Sequence, residues 1–281
     1  MILFMKKIIF LLLAPFLAFW FWNETTGGFS PDSLLEASAP GDETALLPEQ
    51  SFRFWTYGNQ SFVFLSEDGK WVLKIFKANL GNRPFWTKFL PPLSALDTLR
   101  YYSGEQKRWR MERTFAAYRL AWEKNRDNSV LEAVHLGKTR MLAPKLRLID
   151  RFGRHSIVDP NRIVFVLQRR VVPMQQLWIQ ELQTGNISAI KGQIRALHKM
   201  YLSEYARGLY DRDHNFLVNT GIFEGRAVRH DLGKLRNDER MKDPSVGKKD
   251  WNKIAWKKID PWFRDHAPDM REDIAKFLKS F

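Results

Sequence analysis

The pattern of apolar and polar positions divides the chain into a strand-rich first half and a helix-rich second half. Residues 51–77 contain short apolar runs around Asp68-Gly69, a dipeptide suited to a tight turn, and they predict three antiparallel strands. Residues 103–124 have apolar positions at helical spacing and predict a long helix. A further pair of strands, with Gly153 at a turn, completes a predicted five-stranded sheet.

In the second half of the chain, apolar residues recur every three or four positions instead of every two. Asn186 is suited to cap the start of a helix, and Gly208 is suited to end it. The apolar positions between them fall on one face: Ile187, Ile190, Ile194, Leu197 and Tyr201. This pattern predicts a buried helix, and two further helical patterns follow near the C-terminus.

The N-terminus predicts a membrane segment. Lys6 and Lys7 precede fifteen residues, 8–22, that carry no polar side chain. As a helix these residues rise about 22 Å, which is short of the roughly 30 Å of a bilayer core, so a signal peptide and a short anchor both fit. The aromatic end of the run favours an uncleaved signal-anchor or transmembrane helix over 1–22, with the membrane side undecided. Residues 23–50, rich in Gly, Pro, Ser and acids, predict a flexible linker.

Composition narrows the range of functions. The chain of 281 residues is 44% hydrophobic, which supports a well-filled core, and its formal charge of +14 favours polyanionic partners. Most of these charges are expected to form a solvated face, and nucleic acid is not the expected partner. The absence of cysteine excludes disulfides, thiol catalysis and cysteine-ligated zinc.

Two short stretches concentrate polar chemistry. The first, "GLYDRDHNFLVN", runs from residue 208 to 219, and the second, "RHDLGKL", from 229 to 235. Their acids and amides are Asp211, Asp213, Asn215, Asn219 and Asp231. An isolated loop of this kind would ordinarily hydrogen-bond to its own backbone, so the order of the surrounding elements decides its interpretation.

That order resembles the protein-kinase-like superfamily, including its small bacterial and atypical branches. A strand "VLKIFK", a helix with glutamates, an apolar strand "FVLQRRV", the polar loop, a hairpin and "HDLG" follow one another between about 52 and 235. The resemblance implies an α+β, two-lobed fold. It has an antiparallel five-stranded N-lobe over 51–172 and a reduced, mainly helical C-lobe over 173–281, without the A-P-E segment of regulated protein kinases.

In the N-lobe, the resemblance assigns nucleotide contacts. Lys74 would hold the α- and β-phosphates of ATP, and Gly58 is the remaining glycine where kinases carry a glycine-rich loop. A helix glutamate would pair with Lys74, for which Glu112 is preferred over Glu105. The backbone near Gln168 would bond an adenine.

In the C-lobe, the resemblance assigns the metal and the proton acceptor. Asp213 would orient or deprotonate the acceptor hydroxyl, and Asp231, eighteen residues later, would ligate Mg²⁺. Family spacing places the metal-binding asparagine at Val218, so Asn219 and Asn215 both remain candidates, in that order. Asp211 is the second candidate for the base.

Three functions follow. The first is a membrane-tethered phosphotransferase that moves the γ-phosphate of Mg-ATP to an unknown hydroxyl. The second is an inactive pseudokinase that serves as a binding or scaffold module, which the eroded glycine loop favours. The third is a basic surface for nucleic acid or anionic lipid. A metal site built on His214, His230 and Asp231 is a weaker alternative, because the spacing is not that of a histidine pair on a helix.

Overall fold

The computed structural model describes residues 14–15, 17–38, 47–78, 94–139, 145–212 and 214–281, with the backbone alone at 94–108. The chain divides into two compact units. The first unit comprises Met1–Glu112 and Glu132–Arg170, and the second comprises Arg113–Leu131 and Val171–Phe281. The sequence places the division at 172/173 and does not assign 113–131 to the second lobe. Within the second unit this segment is fixed by hydrogen bonds such as that from Asn125 Nδ2 to Glu204 Oε1, of 2.8 Å.

Among the described residues, the sheet of the first unit has seven strands. Their bounds are β1 Ser51–Tyr57, β2 Ser61–Ser66, β3 Trp71–Phe76, β4 Leu131–His135, β5 Leu146–Ile149, β6 His155–Val158 and β7 Phe165–Arg169. The order across the sheet is β4-β7-β3-β2-β1-β5-β6. The predicted meander β1-β2-β3 is confirmed, and its second turn has Gly69 at φ 69°.

The prediction of five strands is corrected to seven. The hairpin of β5 and β6 turns at Gly153, as predicted, but β5 also pairs in parallel with β1, with Phe52 opposite Leu148. The short β4 was not predicted, because the run "LEAVH" is too brief to give a clear period of two. Pairing between strands far apart in the chain is not visible in a local pattern.

One face of this sheet carries an apolar core to which the N-terminal stretch contributes. Phe29, Leu34 and Leu47 are buried with phenylalanines of β1 and β2. Leu34 and Glu36 also form isolated bridges, to Lys77 and Ile163. The described parts of 23–50 therefore pack against the sheet, and the prediction of a flexible linker does not hold for them, because burying these apolar side chains offsets the entropy lost on ordering.

Residues 17–26 form a helix, α1, with exposed apolar side chains at Leu17, Phe19, Trp20 and Phe21. In the part of the chain that the structure describes, no helix is both long enough and apolar enough to span a bilayer. The predicted segment 1–22 lies largely outside that part, since 1–13 and 16 are not described.

Helices dominate the second unit. The helix that crosses the boundary between the units is α2, Ser94–Lys124, and those that follow are α3 Met174–Gln183, α4 Ile187–Ala206, α5 Phe216–Asn219, α6 Pro244–Ile254, α7 Asp260–His266 and α8 Pro268–Leu278, with a π-helical turn at Ala255–Ile259. The predicted helix is α4: Asn186 Oδ1 accepts a hydrogen bond from Ala189 N, and Gly208 lies just beyond its end at φ 70°. Ile190, Ile194 and Leu197 are fully buried on the predicted face.

Two small antiparallel ladders follow α4 along the chain. The strand β8, Leu209–Asp211, pairs with β11, Leu235–Asn237. The predicted hairpin consists of β9, Thr220–Phe223, and β10, Arg226–Arg229. Strand β8 leads into the polar loop and β10 leads to Asp231, so the two ladders fix the backbone beside both polar segments.

Candidate functional site

In the first unit, Lys74 lies on β3, an interior strand of the sheet between β7 and β2. It is paired with Val63 on β2 and with Val166 on β7, and it is half-buried. Side chains alternate between the faces of a strand, so Lys74 shares its face with Val72 and with Gln168, which is opposite Val72. Gln168 is buried, and its Oε1 has no hydrogen-bond partner among the described residues. The structure therefore places the side chains of Lys74 and Gln168 on one face of adjacent strands. The adenine contact was predicted for the backbone near Gln168, and it stays a prediction.

Gly58 lies in the turn between β1 and β2. Its N–H donates to the carbonyl of Ser61 at 2.9 Å, and a Cβ at this position would have nothing within 4 Å. The turn is a single short connection rather than an extended glycine-rich loop.

The glutamates proposed as partners of Lys74 lie on α2. Glu112 is exposed, and the side chain of Glu105 lies outside the described residues. The preference for Glu112 stays a prediction.

In the second unit, backbone hydrogen bonds bring the predicted metal ligands together. The N–H groups of His230 and Asp231 both donate to the carbonyl of Asn219, at 3.0 and 3.3 Å. The N–H of Asn219 in turn donates to the carbonyl of Asn215 across the single turn of α5, at 3.0 Å. Asn215, Asn219 and Asp231 are thus linked in one backbone network, although they are spread over seventeen positions of sequence.

The carboxylate of Asp231 is exposed at the start of the Asp-Leu-Gly turn, where Oδ1 accepts a weak hydrogen bond from Gly233 N at 3.3 Å. Tyr118, on α2, is buried close by. Burial raises the pKa of the Tyr118 hydroxyl well above its ordinary value, and the negative charge of Asp231 raises it further. Tyr118 is therefore a buried, neutral phenol close enough to Asp231 to feel its charge.

Asp211 has a different environment from that expected of a free base. Its carboxylate is buried and accepts a hydrogen bond from Arg229 Nη1 at 2.7 Å. Arg229 also donates from Nε and Nη2 to the two oxygens of Glu204, at 2.7 and 2.8 Å. Burial alone lowers the pKa of Arg229, but the charges of Glu204 and Asp211 outweigh it and hold the pKa above its ordinary value.

His214 is held by a residue that the sequence did not single out. Its Nε2 lies 2.9 Å from both carboxylate oxygens of Asp250, on α6, and Asp250 is buried. Tyr205, on α4, donates its hydroxyl to Oδ2 of the same carboxylate at 2.8 Å. Burial raises the pKa of Tyr205, and the adjacent Asp250 raises it further. The residues missed by sequence reasoning are therefore Glu204, Arg229 and Asp250, and no motif marks them.

The residues in the second unit fit a magnesium ion that is shared with a nucleotide better than a protein-only metal cage. No group of three or more His, Cys, Asp or Glu side chains in the described residues could hold a metal. Mg²⁺ commonly takes one or two carboxylate or amide oxygens and completes its shell with phosphates and water. Asp231 with Asn219 or Asn215 would supply such a set. The histidine alternative is not favoured, because Nε2 of His214 faces Asp250.

Asp213, the first candidate for the base, lies outside the described residues. In the second unit the structure brings Asp211, Asn215, Asn219 and Asp231 into one connected region, and it places Lys74 and Gln168 together in the first unit.

Neither the family models nor the curated proteins include a match to this sequence. Among solved structures, the chain is similar to the LegK7 effector kinase of Legionella pneumophila, at 12% identity over 84% of this chain and 38% of that one, with a TM-score of 0.30. It is also similar to the bifunctional kinase-methyltransferase WbdD, at 10% identity over 85% of this chain and 48% of that one, with a TM-score of 0.38. This chain spans less than half the length of either structure.

Proposed function

We propose that this chain is a kinase-like phosphotransferase that uses Mg-ATP and an acceptor hydroxyl of unknown identity. The observation that carries the proposal is the backbone network that joins Asn215, Asn219 and Asp231. It joins the backbone of the residue that bears an exposed carboxylate to the backbone of two asparagines, at the place in the chain where kinase-like proteins bind their metal.

Each residue has a separate task in this proposal. Asp231, with an amide oxygen of Asn219 or Asn215, holds the metal. Asp213 accepts the proton of the acceptor hydroxyl, and Lys74 neutralises phosphate charge. Mg-ATP, when bound, supplies the phosphoryl group and the charge neutralisation that lowers the barrier to its transfer. The buried pair of Asp211 and Arg229 orients the strand from which the loop begins.

A melting experiment with nucleotide tests the proposal, because a ligand that binds only the folded chain raises its melting temperature. We expect Mg-ATP to raise the melting temperature of the wild type and Asp231→Asn to abolish the part of the shift that needs Mg²⁺. Asp269→Asn, at an exposed carboxylate on α8, is the matched control and should keep the shift.

Turnover separates the alternatives. Release of phosphate from Mg-ATP that is lost in Asp213→Asn supports the enzyme, whereas a Mg-ATP shift without turnover identifies a pseudokinase. Binding to polyanions that disappears steeply with salt, without any effect of Mg²⁺, would identify the basic surface as the functional feature.

We also propose a membrane location. The exposed aromatic and aliphatic side chains at Leu17, Phe19, Trp20 and Phe21 support it, since they continue the apolar run of the sequence and such residues favour a membrane interface. The full-length chain should resist extraction from membranes by alkaline carbonate, and a reporter fused to the C-terminus would identify the side. Release of the intact chain by carbonate would contradict an anchor.

A further inference from the structure

His214 has a backbone conformation that is uncommon for its residue type. Its φ is 50°, in the left-handed region, and among the described non-glycine residues Glu224 alone shares this property, also at 50°. Such conformations persist in side-chain-bearing residues where the surrounding structure holds them. Glu224 lies exposed in the turn between β9 and β10, whereas His214 follows directly after Asp213.

The side chain of His214 is fixed from several directions. Nε2 donates to a buried Asp250, which also accepts a hydrogen bond from Tyr205 and lies 4.0 Å from Lys253 Nζ. The imidazole ring packs edge-on against Tyr210, with ring centroids 5.3 Å apart. A buried carboxylate without partners would be strongly unfavourable, so Asp250 and His214 hold each other in place.

The chain is also fixed on the other side of Asp213. Asp211 is tied to Arg229, and its strand β8 is paired with β11, where Leu235 is opposite Asp211. Two buried ion pairs or charged hydrogen bonds therefore hold the residues two before and one after Asp213. Directly after His214, Asn215 is the N-cap of α5, and its carbonyl accepts a hydrogen bond from the N–H of Asn219.

From this geometry we infer that His214, held by its hydrogen bond to Asp250, is a positioning residue for the loop that carries Asp213 and Asn215. The inference rests on the proposed function for its catalytic consequence, but not for its structural content. In this proposal the ring of His214 does not touch the substrate. It keeps the loop in a left-handed turn that the backbone would otherwise leave.

A series of substitutions at His214 separates the backbone conformation from the hydrogen bond. His214→Gly adopts a positive φ without strain but cannot reach Asp250. His214→Gln retains an N–H donor at about the reach of the imidazole Nε2, without relieving the positive φ. His214→Ala neither relieves the positive φ nor carries a hydrogen-bond donor. Glu224→Gly is the matched control, since it relieves an equal φ at a site away from the loop.

Two measurements on these variants test the inference. His214→Gly should lower the melting temperature, because the buried Asp250 loses one of its partners. Hydrogen exchange of the backbone over residues 209–219 should also become faster by about tenfold or more, beyond any increase in the rest of the chain. In phosphate release from Mg-ATP, His214→Gly should lower kcat on the order of 10²-fold with little change in KM, because displacing a reacting group by about 1 Å costs that much. His214→Gln should restore both toward the wild type, and Glu224→Gly should alter neither.

Equal exchange and equal kcat in the wild type and His214→Gly would overturn the inference, since the hydrogen bond to Asp250 would then fix nothing. The same holds if His214→Gln behaves like His214→Ala, or if Glu224→Gly reproduces the loss. Absence of phosphate release in the wild type would remove the proposed function instead, and the exchange measurement alone would then decide whether His214 fixes the loop.

Discussion

Arg229 donates a hydrogen bond from Nη1 to Oδ2 of Asp211 at 2.7 Å, and both side chains are buried. The guanidinium also binds both oxygens of Glu204 and lies 4.7 Å above the ring of Tyr201. One cation is thus paired with two buried carboxylates at the start of the polar loop. The arrangement stabilises the second unit only while all three charges are present.

Removing this cation should destabilise the second unit strongly. Arg229→Met leaves Glu204 and Asp211 buried without their countercharge, and we expect the free energy of unfolding to fall by about 3–5 kcal/mol. Arg226→Met, at an exposed position on the same strand, should change it by no more than about 0.5 kcal/mol. Urea denaturation measures both, and similar losses in the two variants would contradict a special role for Arg229.

Packing of the N-terminal stretch on the sheet can be tested with two phenylalanines. Phe29 is 3% exposed and its ring lies 5.2 Å from the rings of Phe62 and Phe64, so Phe29→Ala should cost about 3–5 kcal/mol in unfolding free energy. Phe19, which is 60% exposed, provides the control, and Phe19→Ala should be nearly neutral. A neutral Phe29→Ala would mean that this stretch is a tether after all.

Two glycines should respond in opposite directions to substitution by alanine. A Cβ at Gly221 would lie 2.2 Å from the carbonyl oxygen of Val172, so Gly221→Ala should destabilise the chain by about 1–3 kcal/mol. Gly58 has open space, and Gly58→Ala should leave stability unchanged or raise it by up to about 1 kcal/mol through the unfolded state. Thermal melting distinguishes them, and a melting temperature that falls equally in both would contradict the packing at Gly221.

Stability should depend on pH through His198. This side chain is half-buried between the rings of Trp251 and Phe281, at 4.6 and 4.4 Å, and burial lowers its pKa below the ordinary 6.5. As pH falls through 6.5 the unfolded chain takes up the proton first, so the free energy of unfolding decreases until the folded pKa is reached. Above that window the residue has no effect on the pH dependence.

Urea denaturation at pH 7.5 and 5.5 measures this effect. His198→Gln should lose less stability between the two pH values than the wild type does, whatever its stability at pH 7.5. His155→Gln, at an exposed histidine on β6, should follow the wild type. If the wild type and His198→Gln lose the same free energy of unfolding between pH 7.5 and 5.5, burial of His198 does not cause the pH dependence.

Local patterns predicted the elements that depend on neighbouring residues. The cap at Asn186, the end of α4 at Gly208 and the turn at Gly69 each involve residues within a few positions of one another, and all three are present. The apolar face of α4 was equally predictable, because its period is a property of the helix itself. The order of the polar loop, the hairpin and Asp231 could also be predicted from the sequence alone.

Only the tertiary structure decided which distant residues meet. Nothing near Arg229 in the sequence indicates Glu204, and nothing near His214 indicates Asp250, because such pairs depend on how α4, α6 and the ladders pack. The parallel pairing of β5 with β1 and the burial of Phe29 are of the same kind. Sequence by itself determined the local elements and the types of residue available for chemistry, since these follow from backbone preferences and side-chain spacing. Which residues pair with one another, and the environment of each charge, depend on long-range packing. A short stretch of chain does not contain enough information to predict that packing.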